Sequence, residues 1–283
     1  MPTIAETLKA ASLQLKHAEV PNDVLDAQTL LAFTIKQDRT YLIIHFTDQL
    51  SEEIIPVYQS FIARRATGEP LQYITGRQEF FGLEFEVTPA VLIPRPETEL
   101  IVEETLRLAK NIPPPLIIDA CTGSGCIAIA LAREISNAKI IATDISSEAL
   151  AVAQRNACKH GVQEQIQFIN CDLLNGLAAE TKADFILSNP PYVAPEEIAT
   201  LQREVREWEP HIALTDFADG LNFYRRLLVE TKDFLSPEGQ LIFEMGFDQS
   251  QKIKALVDHE SWKDLRLVLD FQQFERVMTL TKS

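Results

Sequence analysis

Leu116-Ile117-Ile118-Asp119-Ala120-Cys121-Thr122-Gly123-Ser124-Gly125 is the stretch whose reading decides the fold. Its first five residues are a short, mostly apolar run bounded by turn residues, the pattern of a buried strand. Two glycines follow, and the small and apolar residues from Cys126 to Arg133 then predict a helix. Glycines at a strand-to-helix turn let the backbone come close to a ligand at the helix N-terminus.

Working outward, the chain beyond Pro113-Pro114-Pro115 alternates strand-like and helical patterns. Strand-like runs fall at 116–120, 139–143, 165–170, 184–188 and 240–244. Such alternation implies a parallel sheet with helices on both faces, an α/β fold. Two further runs, 265–270 and 276–281, leave no room for a crossover helix between them and should pair antiparallel. The glycine loop resembles a Rossmann loop, although G-x-G-x-x-G is met only loosely, with Ala128 at its third position.

Acids recur at the strand ends. Asp144 ends the second strand, 19 residues after Gly125 (144 − 125), where a carboxylate suits ribose hydroxyls. Cys171-Asp172 ends the third, where an acid would meet an adenine amino group. For Asp144 alone, a helix-capping acid before Ser146-Ser147 is the competing reading. Three acids in order, with Asp119, favour S-adenosylmethionine over a dinucleotide. A sulfonium and an ammonium gain from carboxylates, and a pyrophosphate does not.

The fourth strand runs into Ser188-Asn189-Pro190-Pro191-Tyr192. Neither proline has an N–H, so the strand must stop near Asn189. A polar Asn then stands at the carboxyl end of a buried strand, the edge at which open α/β sheets bind ligands. A Pro-rich loop that merely ends a strand is the alternative.

At 283 residues the chain has room for one large domain or two ordinary ones, and 46% hydrophobic with 24% charged residues is the balance of a soluble globular protein. Its 41 acidic and 26 basic residues give a net charge of −15, which argues against tracking a phosphate backbone and fits a protein partner or a cationic ligand. Cys121, Cys126, Cys158 and Cys171 have no CxxC spacing and are expected as buried thiols in a reducing cytosol. The five His show no ligand spacing, so no metal site is expected. No signal pattern and no uncharged apolar stretch of 18 residues occurs, so a cytoplasmic protein without membrane contact is expected.

Residues 1–75 read as a small helical bundle. Ile4, Leu8, Ala11 and Leu15 mark one helical face, and Val24, Ala27, Leu31 and Ile35 a second, after Pro21-Asn22-Asp23. A third helix is expected from near Ser51, with a lost hydrogen bond or kink at Pro56. Residues 76–96 read as a connector with a β-hairpin, pairing Leu83-Glu84-Phe85-Glu86-Val87 with Val91-Leu92-Ile93. Residues 97–283 then form the α/β domain, beginning with a helix to about Lys110.

The Asp-x-x-x-Gly-x-Gly loop followed on strand four by Asn-Pro-Pro-Tyr resembles methyltransferases that act on planar nitrogen atoms. With the helical N-terminus, Ile93-Pro94-Arg95-Pro96-Glu97-Thr98-Glu99 and the Glu209-Pro210 … Ala213-Leu214 … Asp219-Gly220-Leu221 … Tyr224-Arg225 block, the whole chain resembles the PrmC/HemK family of peptide-chain release factor glutamine N5-methyltransferases. The resemblance implies a Rossmann-like methyltransferase sheet, S-adenosylmethionine as cofactor and class 1 release factors as partners. A monomer without direct nucleic-acid contact is expected. It assigns cofactor binding to Asp119, Cys121, Thr122, Gly123, Ser124, Gly125, Asp144, Asp172, Leu173 and Asn189. It assigns the accepting glutamine to Asn189, Pro190, Pro191 and Tyr192, with the Asn189 side-chain oxygen and the Pro190 carbonyl accepting the amide N–H groups under the Tyr192 ring. Arg95 and Phe80-Phe81 are further candidates for lining the site. Two positions depart from the family: Cys121 where Gly is usual, and Leu173 where an aromatic is common. An adenine N6-methyltransferase is the main rival, opposed by the acidic charge. A non-catalytic scaffold would leave Asn-Pro-Pro-Tyr unexplained.

Overall fold

The computed structural model describes every residue of the chain except Asn111 and Pro113, so the first proline of the 113–115 run lies outside the described residues. Two compact units form, Met1–Arg77 with Gln202–Trp208, and Gln78–Leu201 with Glu209–Ser283. The first is helical. Its helices are α1 (Ile4–His17), α2 (Asp23–Ile35), α3 (Arg39–Ile44), α4 (Ile54–Ala66) and α5 (Leu71–Thr75). A capping box between Thr3 and Glu6 starts α1, whose Ile4, Ala11 and Leu15 face inward.

Two details differ from the sequence expectation. Val24 stays 52% exposed, and α2 instead buries Asp26, Ala27, Leu30 and Leu31. The inner stripe turns to include Asp26 because buried Arg65 on α4 donates from Nε to Asp26 Oδ2 at 2.8 Å and pairs with Glu204 of the short helix Arg203–Trp208 at 2.6 Å. Pro56 produces no kink, since α4 begins at Ile54 and Pro56 sits in its first turn, where N–H groups have no intrahelical acceptor.

Strands β1 (Arg77–Phe80) and β2 (Leu83–Glu86) form a two-stranded sheet. The hairpin partner of Leu83–Glu86 therefore lies upstream, not at Val91–Ile93. Phe81 and Gly82 both have positive φ (52° and 70°), the backbone of a tight primed turn. Val91 and Ile93 are buried without joining a strand.

The second unit continues with α6 (Glu99–Ala109), β3 (Leu116–Ala120), α7 (Cys126–Glu134), β4 (Lys139–Asp144), α8 (Ser147–Lys159), β5 (Ile166–Asn170) and β6 (Ala183–Ser188). After α9 (Asn222–Glu230) come β7 (Leu235–Glu244), α10 (Ser250–Lys254), β8 (Trp262–Leu269) and β9 (Glu275–Lys282). The sheet order is β5-β4-β3-β6-β7-β9-β8. Strands β3 to β7 run parallel, β8 and β9 pair antiparallel as the short spacing between the last two runs requires, and β9 is also antiparallel to β7. Successive residues of β3 enter opposite layers. Ile117 packs with Ile127, Leu131 and Phe185, and Ile118 with Ile186, Leu227 and Phe243. Chain order reverses between β3 and β6, so their carboxyl ends open a crevice at the switch point.

Candidate active site

Asp119 near the end of β3 is fully buried. Its Oδ2 accepts Thr122 Oγ1 at 2.6 Å and Ala128 N at 3.3 Å, while Oδ1 has no hydrogen-bond partner among the described residues. Burial pushes its carboxyl up to about 7, the two hydrogen bonds opposing and the charge of Asp144 adding. Gly125 has φ 81°, and a Cβ there would lie 3.0 Å from Ile129 Cδ1 and 3.1 Å from Ala153 Cβ, so α7 and α8 close on a bare backbone. Cys121 has φ 62°. This is left-handed backbone, which explains why a glycine suits that position and why cysteine there is strained.

Asp144, at the end of β4, accepts Gly123 N on Oδ2 and Ser146 N on Oδ1, both at 2.9 Å. It thereby ties the glycine loop to the start of α8. The helix-cap alternative fails, because Ser146 is itself the N-cap and accepts Ala149 N at 3.1 Å. Burial raises the Asp144 carboxyl above its usual range. Asp172 accepts Arg226 Nη1 at 2.9 Å. Leu173, buried with φ 50°, receives Thr143 Oγ1 on its carbonyl at 2.7 Å.

These residues surround a cavity of about 260 Å³. Residues 121–124, Asp144, Asp172, Leu173, Asn189 and Pro191 line it, whereas Asp119, Gly125, Pro190 and Tyr192 do not. Arg95, Phe80 and Phe81 do not line it either. Arg95 donates to Glu209 Oε1 at 2.5 Å, and Glu209 Oε2 accepts Ile93 N at 3.2 Å, so this arginine clamps a loop. Phe80 is core, edge-on to Phe85, and the Phe81 N–H bonds Glu99.

The sequence reading missed two walls, residues 90–92 and the segment holding Ile212, Thr215, Asp216 and Phe217. The second had a readable signal. Asp216 accepts Ala218 N, Gly220 N and Asn222 N at 2.9, 3.1 and 2.9 Å, the turn chemistry that Asp-rich, Gly-containing segments supply.

Just beyond the carboxyl end of β6, Asn189 Nδ2 donates to Thr98 Oγ1 at 3.0 Å, and Thr98 Oγ1 donates to Glu244 Oε2 at 2.6 Å. Tyr192 OH donates to Glu244 Oε1 at 3.2 Å. Glu244 is 2% exposed, and burial pushes its carboxyl up to about 7, with the Thr98 and Tyr192 hydrogen bonds opposing. Gln249 Nε2 donates to the Tyr192 carbonyl at 2.9 Å, and its Oε1 accepts Gly246 N at 3.0 Å. At Gly220 (φ 75°) a Cβ would fall 2.6 Å from the Tyr192 carbonyl oxygen, so only glycine lets the two loops meet.

Of the cysteines, Cys126 is buried, Cys121 and Cys171 are half-buried, and Cys158 is exposed; the expectation of four buried thiols fails at Cys158, on the outward face of α8. Among the described residues no group of three or more His, Cys, Asp or Glu is placed to hold a metal ion. No helix among them is long and apolar enough to cross a membrane.

Known proteins match both units. The PrmC N-terminal domain family matches residues 6–76, and the methyltransferase small domain family matches residues 98–207. A release factor glutamine methyltransferase from Koribacter versatilis is 38% identical over 276 residues, covering 98% of this chain and 97% of that protein. One from Geobacter sulfurreducens is also 38% identical over 276 residues, covering 98% and 95%. Among solved structures, a methyltransferase from Pyrococcus furiosus superposes with a TM-score of 0.53 at 19% identity, covering 78% of this chain and 97% of that one, a likeness of fold. The glycine loop, the Asn-Pro-Pro-Tyr strand end and this near full-length similarity lead to one family: the chain belongs to the release factor glutamine methyltransferases.

Proposed function

We propose that this protein transfers the methyl group of S-adenosylmethionine to the side-chain amide nitrogen of the Gln in the Gly-Gly-Gln motif of class 1 release factors, supporting translation termination. The observation that carries this reading is the setting of Asn189. Asn189 lines the cavity and its Nδ2 donates to Thr98 Oγ1, which supports reading Oδ1 as the acceptor offered to the substrate.

A carboxamide nitrogen is a poor nucleophile because its lone pair is delocalised into the carbonyl. Asn189 Oδ1 and the Pro190 carbonyl, as two acceptors, take the two N–H groups of the accepting glutamine and fix the plane of its amide. They also stabilise positive charge as it develops on that nitrogen, a preorganised electrostatic effect. The Tyr192 ring covers the amide, held by its hydroxyl on Glu244 and its carbonyl on Gln249. No general base is required, since a methylated, protonated amide is very acidic and releases its proton late.

The cavity residues fit the cofactor. S-adenosylmethionine supplies an electrophilic methyl group on a sulfonium centre. Residues 121–124 offer close backbone approach, Asp144 offers carboxylate lone pairs to ribose hydroxyls, and Asp172 with Leu173 serves the adenine edge and face. The unpartnered, buried Asp119 Oδ1 suits a nearby cation or a water that bridges to one.

The test is methyl transfer from labelled S-adenosylmethionine to a purified class 1 release factor, beside its Gly-Gly-Ala variant and duplex DNA. Label on the wild-type factor alone is expected. Label on DNA would replace this reading with adenine methylation.

A further inference from the structure

Thr98 ends the short 3-10 turn Pro96–Thr98 that runs directly into α6, with helical φ and ψ of −67° and −21°, and its side chain makes no cap hydrogen bond. Here the hydroxyl turns inward, is 2% exposed, and sits between Glu244 Oε2 at 2.6 Å and Asn189 Nδ2 at 3.0 Å. The hydroxyl is thus held by two side chains distant in sequence and by no backbone group of its own helix.

We infer that Thr98 and Glu244 are positioning residues that set which end of the Asn189 amide faces the substrate. The two ends of an Asn side chain have nearly the same shape and opposite hydrogen-bonding character. With Oδ1 toward the cavity, the site accepts from a glutamine N–H. With Nδ2 toward it, the site presents a donor to a donor, and the glutamine is repelled. Steric fit does not separate these two states, so polarity must.

The chain of bonds does so in one direction. An ionised carboxylate only accepts, so Glu244 obliges the Thr98 hydroxyl to donate to it. That hydroxyl has one hydrogen, and its lone pairs are then left facing Asn189. They accept from Nδ2 and reject Oδ1, which sends Oδ1 to the cavity. Tyr192 OH donates to the other oxygen of Glu244, so one carboxylate orients both polar members of the Asn-Pro-Pro-Tyr motif. Burial opposes ionisation of Glu244 and raises its carboxyl to about 7, while these two donors work the other way and favour the ionised form. Neither Thr98 nor Glu244 lines the cavity, so both act through Asn189 and Tyr192.

The inference deepens the role proposed above for Asn189, and its test has one arm that needs no substrate. Thr98→Val keeps the shape and deletes the hydroxyl; Thr98→Ser keeps the hydroxyl. In the full-length protein, kcat for release-factor methylation is expected to fall roughly tenfold to a hundredfold in Thr98→Val, the loss typical of a mispositioned group. Affinity for S-adenosylmethionine by calorimetry should be unchanged, and Thr98→Ser should recover most of kcat. In parallel, side-chain amide resonances of ¹⁵N-asparagine-labelled protein report Asn189 directly. Its NH₂ protons are expected to exchange slowly with solvent in the wild type and Thr98→Ser, and fast in Thr98→Val. If Thr98→Val keeps kcat within about threefold of wild type, or if Ser is as impaired as Val, the inference is overturned. Slow exchange retained in Thr98→Val would overturn it as well. A wild type that labels no release factor would defeat the functional reading, and the amide exchange would still decide this one.

Discussion

Two buried carboxyls flank the cavity, and both are pushed up to about 7 by burial, Asp119 on the glycine-loop side and Glu244 on the Asn-Pro-Pro-Tyr side. Their partners differ. Asp119 uses one oxygen on its own loop and leaves the other without a partner among the described residues. Glu244 engages both oxygens, with Thr98 and with Tyr192. An orphaned buried carboxylate oxygen is costly unless something outside the protein completes it, and the role proposed for Asp119 is to be completed by the cationic cofactor, directly or through a water. A satisfied carboxylate is a fixture that orients protein groups. Similar burial and charge thus serve binding on one side and positioning on the other.

The largest expected effect tests the positioning side. Asn189→Ala should lower transfer by roughly a hundredfold to a thousandfold, the cost of removing one preorganised transition-state contact. Cofactor affinity, measured by calorimetry, should stay near wild type. Retention of activity within about tenfold would break the assignment of Asn189.

Next comes the binding side. Asp119→Asn should weaken S-adenosylmethionine binding roughly tenfold to a hundredfold, the worth of a hydrogen bond involving a charged group. Its kcat at saturating cofactor should change little. If kcat falls and affinity does not, the two carboxyls have been given each other's roles.

A several-fold effect with pH sharpens the same contrast. As pH falls through about 7, Glu244 gains a proton and can donate, so Thr98 is no longer obliged to donate to it and kcat should fall. The charged or titratable groups that act on Glu244 are Glu97, which raises its pKa, and Arg276, which lowers it, with the Tyr192 hydroxyl bonded directly. Glu244→Gln should flatten the kcat profile over that range. Protonation of Asp119 in the same window should appear instead in cofactor affinity, which weakens as pH falls. The stability consequence has the opposite sign. Both groups bind a proton more tightly folded than unfolded, so their contribution is complete below about pH 4 and is lost as pH rises through about 7. Chemical denaturation of the ligand-free protein should therefore show Glu244→Gln gaining on wild type as pH rises from about 4.5 to about 7, with the difference levelling off above that.

The smallest effect is at Cys121. Replacing this left-handed cysteine by glycine should relieve strain of about 1 kcal/mol and lose part of it again to chain entropy, for a net gain of roughly 0.5 kcal/mol in urea unfolding. A loss of stability would mean that the thiol's packing outweighs the strain.

Most of the fold was legible because its signals are local. Apolar runs of strand length, Gly123 and Gly125, and Pro190-Pro191 each constrain their own few residues, and the alternation of strand and helix implied a parallel sheet, while the strand order came from the structure. The hairpin was misassigned where two candidate partners flanked one strand. The turn residues Phe81-Gly82 decided for the upstream one. Val24 was placed on an inner face that the pairing of Arg65 with Asp26, 39 residues apart, rotated away from it.

By itself the sequence determined where the strands stop, which loop carries glycines, and that a polar Asn follows the fourth strand into two prolines. Backbone chemistry dictates these features whatever surrounds them. Only the tertiary structure decided which end of that Asn is offered to a substrate. Thr98 lies 91 residues from Asn189 and 146 from Glu244, and Glu244 lies 52 from Tyr192. A threonine after a proline turn and a glutamate ending a strand are ordinary residues in isolation. They acquire their role when the parallel sheet brings the ends of β6 and β7 side by side, beside the start of α6, and removes them from water.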